Sequence, residues 1–146
     1  MIFGQDRAQL RQFWLQTFQK MQRNAPLSPL ESQIAEVIDM HPEYHQFLSQ
    51  PETAQEREFL PELGETNPFL HMGLHLGLRE QLSTNRPAGL RPLFDKLCQH
   101  CGDRHAAEHI AMDCLAECLW KAQRAGTPPQ DNDYLACLRR RLNQNA

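Results

Sequence analysis

Apolar residues recur along most of this chain at intervals of three and four, the spacing of one helix face. The period of two that marks a half-buried strand is not found. Leu10, Phe13, Trp14, Phe18 and Met21 form the first series, with Asp6 placed to cap it, so a helix is expected over 6–23. Ser28-Pro29-Leu30-Glu31 reads as a capping box with proline at the first helical position. Ile34, Val37 and Ile38 supply the stripe of that second helix. Pro42 should kink or restart it, because the ring has no N–H and clashes with the preceding turn. A short helix through Leu48 follows, and 50–65, with Pro51, Pro61 and Gly64 among many acids, reads as a loop holding at most one helical turn.

Asn67-Pro68 opens the next helix, expected to run to Thr84. It carries Phe69, Leu70, Met72, Leu74, Leu76, Leu78 and Leu82 all round its circumference, the pattern of a central buried helix. Gly73 and Gly77 would let a neighbour approach closely. Further helices are expected over 90–99, 104–125 and 131–142, punctuated by Pro87, Gly102, Gly126 and Pro128-Pro129. The fold class is therefore all-α: a single domain over 1–146, a helical bundle of about five main helices plus short pieces.

A chain of 146 residues can bury a core without a structural metal, so a metal here would serve binding or chemistry. The net charge of -3 argues against a general nucleic-acid binder. Arg139-Arg140-Arg141 complements the dipole at the end of the last helix. No apolar run is long enough for a membrane span, and the first residues lack the pattern of a secretory signal. The five cysteines, an odd number, read as reduced thiols, and the expected compartment is the cytoplasm. Substrate and oligomeric state are not indicated.

The chemistry lies in the histidines. Six of the seven form three pairs at a spacing of four: His41/His45, His71/His75 and His105/His109. Random scatter would give roughly 0.3 such pairs at this helix-neighbour spacing. Residues four apart on a helix share a face, and neutral imidazole is the commonest metal ligand. His105 and His109 fall in the sector of Met112, Ala116 and Leu119, and His71 and His75 lie beside Leu78 and Leu82, so the pairs are expected to point inward. Buried imidazoles need partners. The preferred reading is a transition-metal site (Zn, Fe, Ni or Cu) held by His71, His75, His105 and His109 on facing helices. The His41/His45 pair is expected to give at most one ligand, His45 being favoured. Glu108 sits at the margin of the histidine face as a ligand, an orienting group or a general base, or else as a solvated first-turn acid. The alternatives to a metal are a polar histidine core in an interaction module, bonded to backbone carbonyls, and a metal-free catalytic site.

Weaker signals accompany this. His105 to His109 matches the HxxEH pattern of inverted zinc peptidases, but a downstream carboxylate ligand lacks room in the 37 residues that follow. Cys98-Gln99-His100-Cys101 is a lone CxxC without a finger's spacer or the preceding strand of a redox motif. Cys114 and Cys118 lie across their helix from the histidines and should pack, while Asp113 and Glu117 face solvent.

Four stretches carry a resemblance: "HPEYH" at 41–45, "PELGETNPFLHMGLHLGLREQ" at 61–81, "RPAGL" at 86–90 and "HAAEHIAMDCLAECLWKAQ" at 105–123. The chain resembles a family of small bacterial proteins, domain of unknown function 1841, over nearly its whole length. That resemblance implies no activity. The histidine layout also resembles haemerythrin-like and DinB-like metal-binding bundles, though the carboxylate ligands of haemerythrin-like sites are not in register here.

Overall fold

The computed structural model describes residues 7–60 and 64–144; Asp6, the expected first cap, lies outside them. Among the described residues all regular structure is helical. The helices are α1 (Arg7–Gln22), α2 (Pro29–Asp39), α3 (His45–Leu48), α4 (Pro51–Glu56), α5 (Pro68–Thr84), α6 (Leu90–Cys101), α7 (Arg104–Ala125) and α8 (Asp131–Gln144), with a 3₁₀ turn at Pro42–Tyr44. The chain divides into two compact units, Met1–Leu76 and Gly77–Ala146.

In the first unit α1 packs on α2, α3 and α4. Its core is Trp14, Leu15 and Phe18 of α1, Ile34, Val37 and Ile38 of α2, then Leu48, Ala54, Phe69 and Met72. The capping box at α2 forms as its residues dictate: the Ser28 hydroxyl accepts from the Glu31 N–H at 3.1 Å and the Glu31 carboxylate accepts from the Ser28 N–H at 2.9 Å. Lys20 of α1 donates to Glu31 at 2.7 Å, and this partner together with the cap holds the Glu31 carboxyl below its ordinary range. The stretch read as a loop contains α4, whose end is held by a buried arginine. The Arg11 guanidinium donates to the carbonyls of Ala54 (3.1 Å), Gln55 (3.2 Å) and Arg57 (2.8 Å). It also lies 5.0 Å from the centre of the Phe69 ring. An arginine with three acceptors and an aromatic face can be buried where a lone charge could not.

In the second unit α6, α7 and α8 pack on one another. Leu90, Leu93, Phe94 and Leu97 of α6 are buried, as are Tyr134, Leu135 and Leu138 of α8. Gly102 and Gly126 end α6 and α7 at φ 70° and 69°, the left-handed cap that glycine adopts without a Cβ penalty. Arg91 reaches back to the carbonyls of Leu82 and Ser83 at the end of α5. A disulfide joins Cys114 of α7 to Cys137 of α8, which corrects the reading of five reduced thiols: these two helices bring their cysteines to a Cα separation of 5.7 Å. Cys98, Cys101 and Cys118 are free.

Two further expectations are corrected. A Cβ built on Gly73 or Gly77 would meet no atom within 4 Å, so close approach is not what these glycines provide. Nor is α5 buried all round, since Leu70 is 60% exposed and the buried positions Phe69, Met72, His75, Leu78 and Leu82 form one face.

Candidate metal centre

The end of α2 shows why His41 and His45 stand four apart. Pro42 has no N–H, so the Ile38 carbonyl loses the amide that would continue the helix. The His41 N–H bonds Ile38 O at 3.0 Å instead. That closes the turn and leaves the carbonyl of Val37 to the His41 ring, with Nδ1 at 2.7 Å. His45 Nε2 reaches Ile38 O at 2.9 Å. A carbonyl can only accept, so His41 carries its proton on Nδ1 and its lone pair on Nε2, while His45 donates through Nε2. The His45 ring packs against Phe18, 5.4 Å between centres.

α5 begins where Asn67 accepts from the N–H groups of Phe69 (3.0 Å) and Leu70 (3.4 Å). Its buried face carries His75, fully buried, with half-buried His71 one turn before it. The His41 ring stands edge-on to both, at 5.0 Å from His71 and 4.7 Å from His75, and the last two are 4.9 Å apart. One ring nitrogen from each of the three lies within 4.8 Å of the others. Tyr44 stacks on His41 at 5.4 Å, nearly parallel, and burial pushes its hydroxyl above the ordinary tyrosine value. Sequence reading did not single out Tyr44; its place in "HPEYH", on the turn that Pro42 forces, is the signal that was there.

In the second unit, Asp103 caps α7 by accepting from the N–H groups of His105 and Ala106 at 3.3 and 3.2 Å. The His105 and His109 rings are 4.4 Å apart and both residues are half-buried. The buried stripe of α7 is Ala107, Ala111, Cys114, Cys118 and Ala122, joined by Glu108 and Met112. This corrects the expected inward face: Leu119 is exposed, and the histidines flank the buried stripe instead of centring it. Glu108 is 1% exposed. Its two carboxylate oxygens receive Arg79 Nε and Arg104 Nε, each at 3.4 Å. A solvated acid is therefore ruled out. Asp113 and Glu117 are exposed as expected, and Cys98 and Cys101 are half-buried at the end of α6.

Within the first unit, His41, His71 and His75 could together hold a metal ion. Of the six sequence candidates, His45 is engaged with Ile38 and Phe18, and His105 lies against His109. Comparison with curated proteins and with solved structures finds no match. The pattern of a described family does fit, over residues 6–140, and the chain accordingly belongs to the family described as Domain of unknown function (DUF1841).

Proposed function

We propose that this protein binds a transition-metal ion through His41, His71 and His75. The observation that carries the reading is the close set of three imidazoles in the first unit, all able to place a nitrogen within 4.8 Å of the others. Three donors at that spacing need small ring rotations to meet an ion at ~2.0 Å from each nitrogen. Two supporting features are specific. His41 is held by Val37 O through Nδ1, the arrangement that orients ligand imidazoles and presents Nε2 to a metal. His75 is fully buried, where a ring needs a partner within the protein. A nitrogen-only set favours Zn, Ni, Cu or Fe over Mg or Ca. Glu108, between two guanidinium groups, is read as a charge partner of α5 and α7 in place of the general base the sequence allowed.

The competing reading, an interaction module with a polar histidine core, rests on His45, which is satisfied by a backbone carbonyl alone. Titration of metal-free protein with Co(II), followed by visible absorption, separates the two. The metal reading expects a saturable band that is lost in His41→Ala, His71→Ala and His75→Ala and persists in His100→Ala. Protein that gives no band, or one unchanged by the three ligand substitutions, supports the polar core.

A further inference from the structure

Cys98 and Cys101 are one helical turn apart in the last turn of α6, both free and both half-buried. Residues three apart on a helix share a face, with Cβ atoms about 5–6 Å from each other. Two thiols so placed can act in either of two ways: as a redox couple, or as a pair of sulfur donors. A redox CxxC draws its nucleophile from a thiolate stabilised at a helix N-terminus. This pair lies at the opposite end, where the dipole disfavours a thiolate. The surroundings agree, because burial is the first cause holding the Cys98 thiol above its ordinary value. The chain also keeps these two thiols free while Cys114 and Cys137 are joined.

We propose that Cys98 and Cys101 form a second, independent site for a soft, low-coordinate cation of the Cu(I) class. Thiolates select such ions, and two sulfurs suffice for a two-coordinate one. Binding replaces two S–H protons by two sulfur–metal bonds: Cu(I) and two thiols give a bis-thiolate complex of charge -1 and two released protons, with no change of oxidation state. The electrostatic partner for that anion is at hand. Arg104, at the start of α7, is near enough to Cys98 to favour its charged form. Its guanidinium also lies 5.6 Å from the centre of the Phe94 ring of α6, the helix that carries both thiols. The site shares no residue with the histidines, so either can fail without the other.

The test uses the whole protein and Cu(I) itself, presented against a chromophoric Cu(I) chelator without added reductant that attacks disulfides. The parent should withdraw one Cu(I) more than Cys98→Ser/Cys101→Ser does, while Cys118→Ser should match the parent. A measurement without variants runs beside it. Cu(I) should protect Cys98 and Cys101 of the parent from iodoacetamide, read peptide by peptide by mass spectrometry, and leave the labelling of Cys118 as it was. A double variant that withdraws as much Cu(I) as the parent, or Cu(I) that shields neither thiol, would overturn the proposal.

Discussion

Glu108 follows His105 by three residues and precedes His109 directly, a position at the margin of a helix face where an acid near the N-terminus is ordinarily solvated. Its burial follows from a residue 29 positions away, Arg79, which periodicity along α7 cannot reveal. Replacing Glu108 with Gln keeps the shape and one acceptor but removes the charge that faces two guanidinium groups. The Arg104 side chain is mostly exposed and can turn to water, while that of Arg79 is less able to. The expected loss is about 1–3 kcal/mol of stability, read by urea denaturation; a change below about 0.5 kcal/mol would mean the pair contributes nothing. Arg11 makes the same point with backbone acceptors. Lysine there lacks the planar guanidinium that lies over the Phe69 ring while its Nη1 meets the three carbonyls, so Arg11→Lys should cost roughly 1–2 kcal/mol at an unchanged denaturant slope. Equal midpoints would deny the guanidinium its role at the end of α4. Composition announced neither residue, because what buries a charge is its partners, and those are distant in sequence.

The end of α2 was half legible. Pro42 marked the break, and the break limits how His41 and His45 can act together, but the phase beyond a proline is not given by 100° per residue. The turn spends one imidazole on Ile38 and holds the other on Val37, which reverses the order in which the sequence ranked them. Pro42→Ala restores an amide N–H that can bond Ile38 O, lets α2 run on, and should carry His41 away from Val37. Affinity for Co(II) should fall about 10–100-fold, the usual effect of losing a partner that orients a ligand imidazole. Unchanged affinity would show that Val37 does not orient the ring. On α7 the misjudged face has a similar origin: alanines and cysteines, small and weakly apolar, form the buried stripe, while Leu119 and Trp120, the bulkier residues, are exposed. The α7–α8 disulfide closes a separation of 23 residues, worth about 3 kcal/mol in the chain-entropy model. Reduction with a phosphine should raise the intact mass by about 2 Da, one hydrogen per sulfur, and lower the denaturation midpoint by a corresponding amount. An intact mass that does not change on reduction would mean that Cys114 and Cys137 are not joined.

For the molecule as a whole, all-helical structure was legible from periodicity, caps and glycine stops, which are local signals. Among the described residues no helix is long and apolar enough to cross a membrane. The division at Leu76/Gly77 was not legible, since it falls inside α5, where the sequence shows one uninterrupted helical pattern. A ligand that binds only the folded protein stabilises it by mass action, so a metal at a hundred times its dissociation constant adds ~2.7 kcal/mol. The central claim, that the paired histidines serve a transition metal, is tested most directly by elemental analysis of untagged protein purified without chelator. Cells supplied with zinc, iron, nickel and copper should yield parent protein carrying close to one such ion per chain beyond any Cu(I) removable by a thiol-directed chelator, and His75→Ala protein carrying none of it. Parent protein that holds no such ion and acquires none on dialysis against each metal would contradict the account.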